Sequence, residues 1–433
     1  MKKINQILYN YSEMIVIVFL FLQPLIDVLT AVSLTVFNFS FTLGVIARFI
    51  FMSYLIYYFL FLNKNKSKSK LVYLILIFIY ILLYCINIIY IKGIDTLGYE
   101  LKEILKSFYF PIIFITLLSF FEEKRKKITI DKLSKLFIIY LLFVLIPNIL
   151  GIGFASYAVT KSGNIGFFYT ANEIGAILSI LMVNYISLLF NNKKYLMLIL
   201  SILVILYVFT SMGTKGPLIL FLVFLLYLIA KYLKSIFVLK KYKLFTSITI
   251  SFILLATLFI LIIPKTNFYK NIKVHLEFLK VDSIKDIITD KEVLDHFIFS
   301  QRLTFWKQTG EIYEDSKISE KILGIGYINN YSTDNVSMKM VEMDFIDIFY
   351  RHGVVGFILY FYFYIMILCH MMKKVLINKI RDNKIEIYVI SIIFSLCLAF
   401  LTGHVLTSPS VSVFVALISC LLYNEINRRK QYD

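Results

Sequence analysis

The sequence predicts an all-α integral membrane protein with about twelve transmembrane helices, and three observations support this. Sixty per cent of the 433 residues are hydrophobic, and the mean hydropathy is +0.81. Apolar runs of about 18 to 24 residues recur along the chain, which is the length that a helix needs to cross a bilayer. Such a chain is expected to form one helical bundle and not a series of soluble domains.

Twelve apolar runs are predicted to be the membrane helices. The first is predicted to be a span and not a cleavable signal, because it is long, weakly flanked by charge and contains Asp27. The spans divide the chain into residues 1–263 with helices one to nine, a large loop at 264–343 with short helices, and residues 344–433 with helices ten to twelve. The predicted spans are 14–37, 41–62, 71–91, 108–121, 135–155, 171–190, 195–212, 216–232, 244–263, 344–371, 386–403 and 409–424.

Lysine and arginine are concentrated on one side of the predicted bundle. The even-numbered connections and both termini carry 27 of them, and the other side carries 18, of which 11 lie in the long loop. Because positive loops face the cytoplasm, both termini are predicted to be cytoplasmic and loop 264–343 extracytoplasmic. The net charge of +18 then reflects topology and contact with the anionic lipid bilayer. It argues against nucleic acid as a partner, because the charges form no single groove.

Cysteine and histidine indicate neither a metal site nor a disulfide framework. The four cysteines lie in apolar runs without C-x-x-C spacing, and the five histidines form no i, i+4 pair. We therefore expect no metal and no cofactor. The sequence also lacks a P-loop, a D-x-D motif and a G-x-S-x-G elbow, which disfavours ATP-driven transport and transfer from a nucleotide sugar.

Several charged side chains lie in or beside the outward halves of the predicted helices, where they are costly unless they face the bundle interior or a wet cavity. Asp27 lies midway along helix one, Arg48 near the outward end of helix two, and Glu173 opens helix six after Asn172. Asp27 and Arg48 either pair to lock two helices or serve a functional site. Glu173 is either an acid favoured by the helix dipole or part of that site.

Lys215 lies in a short turn that is predicted to face outward. The turn has the sequence Ser-Met-Gly-Thr-Lys-Gly-Pro over residues 211–217, and Lys215 opens the next helix. Backbone N–H groups and an ammonium would then point to the same place, which suits a pyrophosphate. The alternative is a lysine that anchors the helix at the membrane surface.

Arg302 and Trp306 lie four residues apart in the long loop, with Phe305 between them. A short helix would place the guanidinium beside two aromatic faces. One interpretation is an arginine directed at phosphate oxygens, which its planar fork suits. The other is an amphipathic helix that rests on the membrane while Arg302 snorkels to water.

Three carboxylates lie at the start of predicted helix ten. Glu342 precedes the helix at the membrane edge, where partial desolvation would suit it to general-base work. It could equally be a helix start stabilised by the dipole. Asp344 is the first residue of the helix, and Asp347 with Arg351 has the i, i+4 spacing of a surface ion pair.

The order of these motifs resembles the O-antigen ligase and polymerase superfamily, the Wzy-like proteins of surface polysaccharide assembly. The outward Gly-Thr-Lys turn at 213–215 is followed by Ser-Gln-Arg at 300–302, Trp306, and Leu-Gly-Ile-Gly at 323–326. An acidic helix start then precedes Gly-Val-Val-Gly at 353–356 by eleven residues. Gly-Phe-Phe at 166–168 with Ala-Asn-Glu at 171–173 resembles the opening of a middle helix in that family.

The resemblance implies a glycosyltransferase bundle of the GT-C type that performs metal-independent transfer on the outer face of the cell membrane. The implied donor is an oligosaccharide repeat on undecaprenyl pyrophosphate, and a chain-length regulator and a flippase are the implied protein partners. Catalysis needs cations for the leaving group and a base for the acceptor.

The resemblance also suggests roles for individual residues. Glu342 is the expected base with Asp344 as its substitute. The pyrophosphate ligands are expected to be Lys215, Arg302 and Arg48, and the substrate contacts Asn172, Glu173 and Trp306. Glu342 stands where the ligase branch has its proposed catalytic histidine, and Met343 replaces the usual asparagine, a departure that favours the polymerase branch.

The first functional hypothesis is therefore a polymerase that joins lipid-linked repeats into a capsule, an exopolysaccharide or an O-antigen-like polymer. A ligase that moves finished glycan to an acceptor is the second. A transporter or flippase for lipid-linked glycan is the alternative from another class, but the sequence shows no pair of related halves.

Overall fold

The protein is described here by a computed structural model. The described residues are 2–37, 42–64, 67–124, 128–157, 161–238, 261–279, 281, 290–328, 339–377 and 382–429. Within these ranges the chain is almost entirely helical, because a backbone inside a bilayer must satisfy its own polar groups. The all-α prediction is confirmed over these ranges.

Seventeen α-helices are labelled here in chain order over the described residues. Helix α3 continues through a π-helical turn at Tyr58–Leu62, and a 3-10 turn at Ile94–Thr96 precedes α5. The helices are α1 Lys2–Asn10, α2 Ser12–Thr35, α3 Leu43–Tyr57, α4 Lys68–Lys92, α5 Leu97–Ser107, α6 Tyr109–Glu123, α7 Ile130–Leu150, α8 Ala171–Asn191, α9 Tyr195–Met212, α10 Lys215–Val238, α11 Asn267–Leu279, α12 Lys291–Leu294, α13 Arg302–Asp315, α14 Ile318–Leu323, α15 Asp344–Ile377, α16 Asn383–Leu401 and α17 Pro409–Arg429.

Ten helices of the described chain are long and apolar enough to cross a membrane, and a bent pair raises this number to eleven. They coincide with eleven of the predicted spans, with ends that differ by up to six residues. The largest shift at a start is in α7, which begins at Ile130 and ends at Leu150, followed by Gly151 with φ +70°. The predicted span at 244–263 lies almost wholly outside the described residues.

The connection 92–107, between the third and fourth predicted spans, is largely helical. It contains α5, which meets α6 at a bend of 41°. The cause is a buried polar cluster around Glu100, whose Oε1 accepts from Nζ of Lys92 at 2.9 Å. The same carboxylate accepts from the backbone N–H groups of Tyr327 and Ile328 at 2.8 to 2.9 Å. Helix α5 therefore packs into the protein and binds the long loop at residues 327 and 328.

The centre of the bundle consists of α6, α8 and α17. In the apolar windows of α8 and α17, 78% and 89% of the residues are buried inside the protein. Serine hydroxyls on these buried helices donate to backbone carbonyls of the preceding turn. Ser179 donates to the carbonyl of Gly175 at 2.7 Å, and Ser419 donates to the carbonyl of Val415 at 2.8 Å. Small polar residues can therefore be buried here at little cost.

The two glycine motifs of the sequence pack against each other. Helix α15 is kinked at Gly353, where φ is +62° and ψ is −174°. Backbone N–H groups of Ile325 and Gly326 donate to the carbonyls of Tyr350 and Arg351 at 3.0 and 3.2 Å. A Cβ on Gly324 would collide with the backbone of Arg351. Glycine is required at this crossing because the two backbones touch.

Candidate functional site

The centre of the candidate site is an ion pair between Arg302 and Glu342. Nη2 of Arg302 donates to Oε2 of Glu342 at 2.8 Å, and Nε donates to the carbonyl oxygen of Glu342 at 3.1 Å. The arginine is only 8% exposed, whereas 37% of the Glu342 side chain is exposed. A buried cation therefore holds a carboxylate that solvent and a substrate can reach.

Arg302 is positioned by an unusual helix start. Ser300 and Gln301 both have left-handed backbones, with φ of +53° and +68°. This reversal lets the buried carboxylate of Asp295 accept from the backbone N–H groups of Leu303 and Thr304, each at 2.9 Å. Asp295 thus satisfies the free donors at the start of α13 and fixes Arg302 as its first residue.

The backbone of Glu342, which precedes α15, is positioned by Asp347 in the first turn of that helix. Asp347 accepts from the backbone N–H groups of Val341 and Glu342 at 2.9 Å and of Met343 at 3.3 Å. Glu342 itself has φ of +61°, and a Cβ on Gly403 would collide with its backbone. The backbone of Glu342 is therefore fixed from two sides.

Segment 402–408 connects the other predicted residues to this pair. The carboxylate of Asp344 is buried and accepts from the backbone N–H groups of residues 404, 405 and 406 and from the Thr407 hydroxyl, at 2.6 to 2.9 Å. The carbonyl of Thr402 accepts from Arg302 at 3.4 Å and from Nδ2 of Asn172 at 3.5 Å. Because all its acceptor sites are engaged, Asp344 suits a structural role better than that of a base.

Lys215 lies beside the same site. It begins α10, its Nζ donates to the carbonyl of Phe297, and Nζ lies 4.1 Å from the centroid of that ring. Lys161 and Arg302 are close enough to repel its ammonium. The neighbouring Gly216 lies against Thr402, where a Cβ would meet the threonine methyl. The structure therefore brings Lys215, Arg302 and Glu342 to one end of the bundle.

Backbone strain is concentrated at this end. Five non-glycine residues of the described chain have positive φ, and four of them flank the ion pair: Ser300, Gln301, Glu342 and His404. Each such residue costs about 1 to 3 kcal/mol, and residues of this kind cluster at functional sites. The strained residues around this ion pair therefore indicate a functional site, where a particular geometry is kept although it lowers the stability of the fold.

Arg48 and Asp27 are paired deep between α2, α3 and α7. Their side chains form an ion pair, and the Tyr140 hydroxyl donates to Oδ2 of Asp27 at 2.8 Å. This is the helix-locking alternative of the sequence analysis. A pyrophosphate role for Arg48 stays a prediction, and the described contacts of its guanidinium are with Asp27 and Gln23.

Glu173 lies in the first turn of α8 and accepts from the Ser408 hydroxyl at 2.6 Å. With Asn172 it holds both ends of segment 402–408. The two residues therefore adjoin the site through this segment, and their role as substrate contacts stays a prediction.

Two expectations about the long loop are wrong. Arg302 is buried against Glu342 and does not snorkel, and the cation over the Phe305 ring is Lys339, at 3.9 Å. Trp306 is exposed and donates from Nε1 to the Tyr350 hydroxyl at 3.1 Å. Its described contact thus leads to α15 and not to the ion pair.

The predicted surface pair between Asp347 and Arg351 is also wrong. Both side chains are buried. Arg351 donates to the carbonyls of Gly326 and Lys339 at 2.9 and 3.0 Å, while Asp347 accepts from the backbone before α15. Both residues hold chain segments in place.

Sequence reasoning missed Lys161, His275 and Asp295. Lys161 is a cation in a predicted outward connection, so the argument used for Lys215 would have found it. His275 and Asp295 carry no local signal, because their partners are distant in the chain. Over the described residues, no group of three or more His, Cys, Asp or Glu side chains is arranged to hold a metal.

The helices and the clustered polar end together define a multi-pass membrane protein with a candidate site at one end of its bundle. The chain belongs to the family of O-antigen ligase like membrane proteins, whose family model matches residues 9–292 and 279–429. The resemblance seen in the sequence is thereby confirmed, and the chain is a glycan-processing membrane protein. No curated protein matches the sequence.

Proposed function

We propose that the protein is a polysaccharide polymerase. It transfers a growing glycan from undecaprenyl pyrophosphate to a hydroxyl group of another lipid-linked repeat, on the outer face of the cell membrane. The single observation that supports this proposal is that the buried Arg302 pairs with the accessible carboxylate of Glu342 at the end of the bundle where the half-buried Lys215 lies. A base and a set of cations are the two components that this transfer needs.

The chemistry can be assigned to named groups. The acceptor oxygen attacks the anomeric carbon of the donor, the carbon–oxygen bond to the pyrophosphate breaks, and the acceptor proton passes to Glu342. The negative charge that develops on the leaving pyrophosphate is stabilised by Lys215 and Arg302. The reaction is balanced without an oxidant, a reductant or a metal.

Arg302 is suited to contact both the leaving pyrophosphate and the base, Glu342. Its bonds to Glu342 are short, but those to the carbonyls of Phe299 and Thr402 are 3.3 and 3.4 Å long. These long bonds are weak and are the ones that phosphate oxygens would most readily replace. The guanidinium could then bind the pyrophosphate while it remains paired with Glu342.

The polymerase is favoured over the ligase by the identity of residue 342. The family resemblance implies a catalytic histidine at this position in ligases, and this chain has glutamate with methionine after it. A ligase that transfers finished glycan is the second candidate, because the same cations and base would serve it.

The test is the analysis of lipid-linked glycans in cells that lack the protein. A polymerase defect leaves single repeats on the carrier and no long polymer. Long polymer that remains on the carrier would identify a ligase, and unchanged polymer at the surface would contradict both.

Complementation with variants ties the result to the site. Arg302→Ala is expected to reproduce the defect, because it removes a pyrophosphate ligand and the partner of Glu342. Lys307→Ala is the matched control, since Lys307 is exposed on the same helix and its ammonium lies 4.0 Å from Glu311. Normal polymer with Arg302→Ala, at equal protein level in the membrane, would contradict the proposed role of this residue.

A further inference from the structure

A second group of polar side chains lies near Lys215. It consists of Lys161, His275, His296 and Thr214. These residues come from four separate segments of the chain: segment 161–168, α11, the turn after α12, and the start of α10. Neither the catalytic chemistry above nor the packing of the helices accounts for them.

The segments are held together by Asn271 on α11. Its Nδ2 donates to the carbonyls of Ser162 at 2.7 Å and Gly213 at 3.2 Å, and its Oδ1 accepts from the backbone N–H of Ser162 at 2.7 Å. His275 follows Asn271 by four residues and thus lies one turn further on the same face of α11. This arrangement places the imidazole beside the turn that carries Lys215.

Phe297 lies between His275 and Lys215. The imidazole packs on its ring with centroids 5.6 Å apart, and Nζ of Lys215 lies 4.1 Å from the same centroid. His275 is therefore close to the ammonium that we assign to the pyrophosphate.

Two buried polar atoms in this group lack a hydrogen-bond partner among the described residues. His275 is 8% exposed and Thr214 is 6% exposed. Nδ1 of His275 and Oγ1 of Thr214 have no hydrogen-bond partner within the part of the chain that the structure describes. Leaving a buried polar atom unpaired costs about 1 to 3 kcal/mol, so the two atoms point to a ligand that is polar and rich in acceptors.

Among the described residues, the charged groups that act on His275 all disfavour its protonated form. Lys161 from segment 161–168, Lys215 from α10 and His296 from the turn after α12 face the imidazole, and with burial they lower the pKa of His275 to about 4. Burial also lowers the pKa of Lys161. Two described acids of neighbouring segments are engaged elsewhere, because Asp295 binds the start of α13 and Glu342 binds Arg302.

We infer that Lys161 and His275 extend the pyrophosphate site, and that His275 takes up a proton when the pyrophosphate binds. This inference rests on the proposed function and names two further ligands of the same site. A bound anion would reverse the sign of the field at the imidazole and accept a hydrogen bond from it. Both effects favour the protonated form.

The sign of the pH dependence follows from linkage. Free protein keeps His275 neutral at pH 7, because its pKa lies far below that value. In the complex the pKa returns to about 6.5 or above, the ordinary value for histidine. Proton uptake by His275 therefore accompanies binding, and the contribution of His275 to the affinity rises as the pH falls from 8 toward 6.

The experiment is calorimetric titration of the full-length protein in lipid nanodiscs with undecaprenyl pyrophosphate. Measurements at pH 6.5 in buffers of low and high ionisation enthalpy give the protons taken up per pyrophosphate bound. Because the probe itself titrates, the readout is the difference between wild type and His275→Gln. We expect wild type to take up about 0.5 proton more than the variant.

Lys161→Ala is expected to weaken binding about tenfold by removing one cation, and Lys161→Arg to restore most of it. Lys273→Ala is the matched control and is expected to bind like wild type, because Lys273 is exposed on α11 and pairs with Glu277. Unchanged melting temperatures of all variants exclude a general loss of structure.

The outcomes separate this inference from the proposed function. If wild type binds the pyrophosphate lipid but His275→Gln shows the same proton uptake and Lys161→Ala the same affinity, the inference is wrong and the proposed function stands. If wild type binds undecaprenyl pyrophosphate no better than undecaprenol, both are wrong.

Discussion

Replacement of Glu342 by glutamine tests the assignment of the base. The amide has the shape of the carboxylate, and its oxygen can still accept from Nη2 of Arg302, which lies 2.8 Å from Oε2. The contacts of the Glu342 backbone with Asp347 do not involve the side chain. Glu342→Gln therefore removes the proton acceptor while the surrounding structure is kept.

The expected loss follows from the contribution of general-base catalysis. A positioned base accelerates a reaction by about 100- to 10,000-fold, which corresponds to about 3 to 5 kcal/mol of the activation barrier. We expect the turnover of Glu342→Gln to fall at least about 100-fold, with little change in the affinity for the lipid-linked donor.

The assay uses purified protein in proteoliposomes with lipid-linked repeats extracted from cells that lack it, and measures the initial rate of polymer formation. Glu311→Gln is the control, because it is the same chemical change at an exposed acid of the same loop, which pairs with Lys307. Removal of a base is expected to lower the rate at least about 100-fold. A Glu342→Gln rate within about threefold of wild type would therefore refute the assignment.

The remaining predictions concern the supports of the site. Asp344→Asn places an amide against three backbone donors of segment 402–408. It should lower the activity, and it should lower the free energy of unfolding by about 1 to 3 kcal/mol. A loss of activity without destabilisation would contradict the structural role. Asp27→Asn or Arg48→Met alone breaks the buried ion pair and should cost about 3 to 5 kcal/mol in detergent unfolding, whereas Asp27→Leu with Arg48→Met together should be closer to wild type. Full activity of that double variant would show that Arg48 is no pyrophosphate ligand. Gly353→Ala should destabilise the protein by about 1 to 3 kcal/mol, since only glycine readily adopts its φ of +62° and ψ of −174°. Gly98→Ala on α5, where nothing lies within 4 Å of an added Cβ, should have little effect, and equal melting temperatures of the two variants would contradict the reasoning.

The membrane helices could be predicted from the sequence because their cause is local. A long apolar run is helical in a bilayer regardless of its neighbours, and eleven of the predicted spans coincide with described helices. Helix α5 was missed because Glu100 and Lys92 suggest a solvated loop when they are considered alone. Only the fold reveals that they neutralise each other and bind the backbone at residues 327 and 328.

The candidate site could be predicted in part. Lys215, Arg302 and Glu342 were recognisable because each is a charged residue where charge is costly, and the structure gathers them at one end of the bundle. Their arrangement could not be predicted. The left-handed backbones at residues 300, 301, 342 and 404 depend on Asp295, Asp347 and Gly403, whose contacts are made by tertiary structure.

The separate roles of Asp344 and Glu342 could not be predicted from the sequence either. The family resemblance made Glu342 the expected base and Asp344 its substitute, but the sequence alone did not show which of the two carboxylates is accessible. The structure distinguishes them, because Asp344 is buried and bound by four donors whereas Glu342 remains accessible. The chemical role of each acid depends on its exposure and its hydrogen-bond partners, and the residue type specifies neither.

The central claim is that the cations at this end of the bundle bind the pyrophosphate of the donor. The most direct measurement is an electron cryomicroscopy structure of the full-length protein in nanodiscs with undecaprenyl pyrophosphate bound. The account predicts phosphate oxygens within about 3 Å of Nζ of Lys215 and of the Arg302 guanidinium, with the Glu342 carboxylate facing the adjacent space. A pyrophosphate bound at the opposite end of the bundle, or elsewhere away from these two side chains, would contradict it.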